Sequence, residues 1–67
     1  MKAGIPVIAR GDTKPTGLTT GSERICRMEG CTGRRIGVRW ARGGKKQLTF
    51  PCTKGMEELP DGSWRLL

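Results

Sequence analysis

The stretch from Arg34 to Phe50 constrains this chain more than any other. Ile36, Val38 and Trp40 alternate with Arg35, Gly37 and Arg39. That period of two, carried by β-branched and aromatic residues, predicts a half-buried strand over Arg34 to Ala41. Lys46 to Pro51 repeats the alternation, with Leu48 and Phe50 expected inward and Gln47 and Thr49 outward. Gly43-Gly44 lies between them, so the two strands read as a hairpin. Directly opposed residues of a hairpin share a face. A two-residue Gly43-Gly44 turn would set Trp40 against Gln47, core against solvent. A three-residue loop, Gly43-Gly44-Lys45, sets Trp40 against Leu48, Val38 against Phe50 and Ile36 against Cys52. The odd loop is therefore expected, with Arg42-Gly43-Gly44 as second choice; glycine supplies the left-handed residue it needs.

A chain of 67 residues holds one domain at most, and at that length only about 60% of the unfolded surface is buried. Eleven glycines and four prolines favour short strands and turns over long helices. The fold class is expected to be all-β. Residues 1–21 read as a flexible N-terminal arm, because Asp12 to Ser22 offers little apolar surface beyond Leu18 to offset its ordering entropy. Ile5, Val7 and Ile8 could add an edge strand. The domain proper is expected over residues 22–67. A first strand is read over Glu23 to Glu29, with turn chemistry from Glu29 to Gly33. A single helical turn fits Met56 to Leu59, Asp61-Gly62 reads as a turn, and Ser63 to Leu67 as a last strand.

Glu23 to Leu67 resembles the small Src-homology-3-like barrels, especially the Tudor and KOW-type bacterial modules. The matching residues are Gly33 before a strand, Val38-Arg39-Trp40 leading into a glycine turn, Leu48-Thr49-Phe50-Pro51, and Leu59-Pro60 followed by Trp64-Arg65-Leu66. The family often carries an acidic Trp-Asp-Asp-Gly turn where this chain has Ala41-Arg42-Gly43, which inverts the local charge. The resemblance implies a small five-stranded barrel. It also implies a module that binds nucleic acid, ribosome, polymerase or another protein, without selecting among them.

The net charge of +7 comes from 13 Lys and Arg against 6 Asp and Glu. Nine of the positive residues fall between Arg24 and Lys54, where Glu29 is the only acid. Like charges set this close repel unless a partner supplies anions, and a phosphate backbone does so with release of counterions. Arg34, Arg35, Arg39, Arg42, Lys45, Lys46 and Lys54 are the candidate RNA- or DNA-binding residues. With Ile36, Val38 and Trp40 buried, Arg35 and Arg39 project together from the opposite face. Trp40, Trp64 and Phe50 are expected in the core rather than as stacking platforms. A protein-interaction adaptor is the alternative, docking through a sheet edge or through uncovered apolar surface.

Other classes find less support. Without histidine there is no Ser-His or Cys-His couple, and Glu57 and Glu58, adjacent in sequence, make a poor acid/base pair, so no enzyme is expected. No cofactor is expected, since no glycine-rich phosphate loop is present. Cys26, Cys31 and Cys52 are one short of a four-ligand zinc set with no histidine to complete it. A disulfide would leave one thiol over, so small core or turn thiols are the expectation. No secretory signal and no run of about 20 apolar residues is seen, so a cytoplasmic location and no membrane partner are expected.

Overall fold

The computed structural model describes residues 1–42 and 44–67, and only the backbone of Arg42 and Lys45. The chain is all-β as expected, but its strands form an open six-stranded sheet rather than a closed five-stranded barrel. The strands are β1 (Pro6–Ile8), β2 (Gly17–Ile25), β3 (Arg34–Arg42), β4 (Lys45–Thr49), β5 (Met56–Glu58) and β6 (Trp64–Leu66). Their order across the sheet is β4-β3-β2-β1-β6-β5. β1 joins the two halves, pairing antiparallel to β2 and parallel to β6.

The core lies on one face. Val7, Ala9, Ile36, Val38, Trp40 and Met56 form it, with Met1, Trp64 and Leu66 packed against its rim. Ile36, Val7 and Val38 are its largest fully buried side chains. Burying a side chain of that size stabilises the fold by about 1.5–3 kcal/mol. The alternation of β3 is thus realised as read.

The first 21 residues are part of the sheet, which corrects their reading as an arm outside the domain. They supply all of β1 and the first half of β2, and Val7 is fully buried. Hydrogen bonds at Thr19 fasten the segment. Its hydroxyl donates to the Lys2 carbonyl at 2.6 Å and accepts from the Ile5 amide at 2.9 Å. Its own amide donates to the Ile5 carbonyl, and its carbonyl accepts from the Gly4 amide. A count of apolar side chains does not see bonds of this kind.

Register corrects the hairpin. Trp40 stands opposite Gln47, Arg39 opposite Leu48 and Arg42 opposite Lys45. The two-residue connection prevails over both three-residue loops. Gly44 has φ +76, the left-handed conformation that such turns require; Gly43 lies outside the described residues. Two consequences follow. Leu48 is half exposed rather than inward. Phe50, continuing that register, lies against Gly37 on the face away from the core. Thr49 takes the inward place beside Trp40, and its Oγ1 accepts the indole N–H at 2.7 Å. The polar residues of β4 are tolerated inward because one of them satisfies the only polar atom of a buried tryptophan side chain.

The helical turn expected at Met56 to Leu59 is also displaced. A 3-10 turn occupies Thr53–Gly55, and Met56–Glu58 is strand. The Asp61-Gly62 turn holds: Gly62 has φ +89, and the Asp61 carboxylate accepts from the Ser63 amide at 2.9 Å. The Ser63 hydroxyl, and after it that amide, keep the Asp61 carboxyl below its ordinary range.

Two substitutions test this account. A Cβ on Gly17 would sit 2.7 Å from Trp40 Cε3 and 2.8 Å from Val38 Cγ1. Gly17→Ala is therefore expected to cost about 1–3 kcal/mol in urea unfolding through overpacking. Thr49→Val keeps the shape of the side chain but strands the buried indole N–H. It is expected to cost about 1–3 kcal/mol, with Thr49→Ser close to the parent.

Candidate nucleic-acid interface and thiol cluster

The outer face of the β2–β3–β4 meander is built by the same alternation that builds the core. Arg35, Gly37, Arg39 and Ala41 point away from Ile36, Val38 and Trp40. Cross-strand pairing sets Arg24 beside Arg35, Leu18 and Leu48 either side of Arg39, and Lys46 beside Ala41. Arg24, Leu18, Arg39, Lys46 and Leu48 are all exposed.

Gly37 makes this face flat at its centre. A Cβ there would meet the Thr20 hydroxyl and come within 3.3 Å of the Phe50 ring. The bare backbone lets Arg24 reach over β3 from β2, so that its guanidinium lies 3.9 Å from the centroid of the Phe50 ring. Such a stack contributes about 0.5–1 kcal/mol at an exposed site. Arg35 reaches toward the same residue from β3, and its Nη1 donates to the Phe50 carbonyl at 3.0 Å. Both guanidiniums are thus oriented by one residue of the neighbouring segment. Beyond the end of β2, Arg24, Ile25, Arg27, Met28 and Arg35 line an open groove that continues the face.

The candidate set divides. Arg35, Arg39 and Lys46 share the outer face. Arg34 and Lys54 line a different cleft, together with Lys2, Glu23 and Glu58. There the Met1 ammonium pairs with Glu23 and, with help from Arg34, holds that carboxyl below its ordinary range. Carboxylates in that cleft blunt any attraction for anions. Arg42 and Lys45 pair at the hairpin end, and their side chains lie outside the described residues. Arg24 and Arg27 were counted in the sequence as charge but not placed in the site. The signal that could have found Arg24 was its spacing: two residues before Cys26, on a strand that begins earlier than Glu23.

The cysteines, read as separate small thiols, come together. Cys26 follows β2, Cys31 sits in the loop before β3 and Cys52 follows β4. An isolated bridge between Arg35 and Cys52 carries the end of the β4 segment alongside β3. The three sulfurs lie within 4.8 Å of one another, with Cys31 and Cys52 Sγ 3.6 Å apart. No pair is bonded, because a disulfide needs about 2.05 Å. The Gly33 amide donates to Cys31 Sγ at 3.4 Å. The backbone amide of Met28 acts on Cys26. It lowers the Cys26 thiol from its ordinary value, assisted by the neighbouring sulfurs and by Arg35 against the effect of burial. For Cys31, the Gly33 amide acts downward but is outweighed by Cys26, Cys52 and burial, which hold that thiol above its ordinary value.

No family model matches the chain, and no curated protein or solved structure does either. Among the described residues no helix is long and apolar enough to cross a membrane.

Proposed function

We propose that this chain is a small binding module that holds the phosphate backbone of RNA or DNA on the outer face of its β2–β3–β4 meander. The observation that carries the reading is the gathering of three arginines on one open face: Arg24 and Arg35, both held at Phe50, and Arg39 farther along β3 between Leu18 and Leu48. Arginine forks suit bidentate contact with phosphate oxygens, and Phe50 already orients those of Arg24 and Arg35. Lys46 lies on the same face, Arg42 and Lys45 follow at the hairpin end, and Arg27 extends the reading into the adjoining groove. Phe50 and the apolar side chains of Leu18 and Leu48 offer nonpolar contact to sugars or bases between the phosphates. Modules of the Tudor and KOW type, which residues 23–67 resemble, include nucleic-acid binders; that likeness agrees with the reading without choosing the partner.

One observation favours a second reading, a protein-interaction adaptor. Leu18 and Leu48 are about half exposed on the same face, and Ile25 and Met28 are more exposed still in the groove. An acidic peptide with apolar side chains would meet such a surface.

Fluorescence anisotropy with a single-stranded and a duplex oligonucleotide at several salt concentrations separates the two. On the nucleic-acid reading the logarithm of affinity falls linearly with the logarithm of salt. On duplex DNA its slope is about −0.9 for each phosphate neutralised. Arg39→Ala is expected to reduce the slope by about one, and Arg24→Ala likewise. Arg34→Ala and Lys54→Ala, in the mixed cleft, are expected to leave it nearly unchanged. Absence of binding at low salt, or binding that salt does not weaken, would reject the reading, and co-purification of an acidic protein would favour the adaptor.

A further inference from the structure

We propose that Cys26, Cys31 and Cys52 form a three-thiolate site for a zinc ion, with the fourth position taken by a solvent or partner ligand. The geometry brings together two segments that are separate in sequence, the loop between β2 and β3 with Cys26 and Cys31 and the chain after β4 with Cys52. Zinc holds thiolate sulfurs at about 2.3 Å, so two sulfurs sharing a tetrahedral ion stand about 3.8 Å apart. Cys31 and Cys52 Sγ are already 3.6 Å apart, and Cys26 Sγ lies within 4.8 Å of both. A small rotation of one side chain closes the triangle.

The surroundings fit thiolate ligands. The Gly33 amide donates to the Cys31 sulfur two residues earlier, and such an outer-shell donor orients a metal-bound thiolate. Three thiolates with one divalent ion leave a charge of about −1, and Arg35, paired along the strand with Cys52, stands near enough to act on the cluster electrostatically. Gly33 makes room for the arrangement, since a Cβ there would lie 2.9 Å from Cys52 Sγ. Thiolate donors alone, with no histidine in the chain, select a soft or borderline ion over magnesium or calcium.

The ion would clamp the loop between β2 and β3 to the end of the β4 segment. Each thiol loses its proton on binding, so metal uptake releases protons to solvent. This inference does not depend on the nucleic-acid reading: a chain that takes zinc but no oligonucleotide would leave it standing.

The full chain, reduced and freed of metal, is titrated with Zn2+ and followed by native mass spectrometry; a parallel titration with Co2+ is followed by absorbance. One zinc per chain is expected. The cobalt form is expected to show the intense visible bands of a tetrahedral ion together with thiolate-to-metal charge transfer. Cys31→Ser and Cys52→Ser, at half-buried positions, are each expected to weaken zinc binding more than about 100-fold, beyond the usual cost of an outer-shell change. A bare-chain mass at equimolar zinc, a cobalt spectrum without thiolate charge transfer, or unchanged affinity in both serine variants would overturn the proposal. So would a mass lower by two hydrogens in the presence of reductant, which would mark a disulfide in place of the site.

Discussion

The indole of Trp40 rests on the bare backbone of Gly17, and most of the fold depends on that contact. A tryptophan in the middle of a three-stranded meander needs a neighbouring strand with no side chain at the point of approach, and Gly17 stands directly opposite it. With the ring seated there, the indole N–H reaches Thr49, and β4 is held with Gln47 and Thr49 toward the core side. β1 then covers the remaining apolar surface with Val7 and brings β6 beside it in parallel. The open sheet acquires a core because both halves bury side chains on the same face as Trp40.

The same register makes the outer face. Had Leu48 and Phe50 turned inward, the far side of the meander would have carried only Gln47 and Thr49 from β4 between its arginines. Their outward placement gives it one aliphatic side chain from β4 and one ring from the residue just after it. The arginines of β2 and β3 order themselves around the ring. A charged face with no such anchor would hold its long side chains only at the cost of their rotamer entropy, up to about 2 kcal/mol for each arginine fixed. Stacking on Phe50 and bonding to its carbonyl meet part of that cost before any ligand arrives, which is how preorganisation raises affinity.

What was legible in the sequence was what a strand's own period records. β3, the antiparallel pairing of β3 with β4 though not its register, the inward set of Ile36, Val38 and Trp40, the outward pair of Arg35 and Arg39, and the final turn at Asp61-Gly62 were read correctly. Errors arose where one interaction outweighed a local pattern. The facing rule judged β4 by two apolar residues, whereas the two-residue glycine turn and the Trp40–Thr49 bond decided its register. The first 21 residues looked too polar to order, yet they are held by Thr19 and by a short apolar run centred on Val7. The candidate site was half legible. Arg35 and Arg39 were paired correctly, but Arg34 fell into a cleft lined with carboxylates because adjacent residues on a strand face opposite sides, and the 3-10 turn at Thr53–Gly55 carries Lys54 into the same cleft. The cysteines were judged by spacing along the chain, and spacing carries no information about a bridge between Arg35 and Cys52 that folds one segment onto another.

The thiol cluster and the arginine face are linked by the loop between β2 and β3. That loop begins at Cys26, ends beside Gly33 and carries Arg27 and Met28 on its exposed side. It lies outside the strand ladders, and among its own bonds is a single turn from the Cys31 amide to the Met28 carbonyl. Arg27 sits in a groove with Arg24 and Arg35, so mutual repulsion acts to open it. Among the described residues the main core cluster around Val7 and Val38 includes no side chain of this loop, and of the loop only Cys26 is buried. What opposes the repulsion is the contact of Cys26 and Cys31 with Cys52 at the loop's two ends. A chain of this length has little apolar surface left to order a peripheral loop. A cross-link that acts through sulfur needs no additional core. The position of the thiols therefore decides whether the groove keeps one shape or many, and with it how many of the five side chains lining the groove can meet a ligand together.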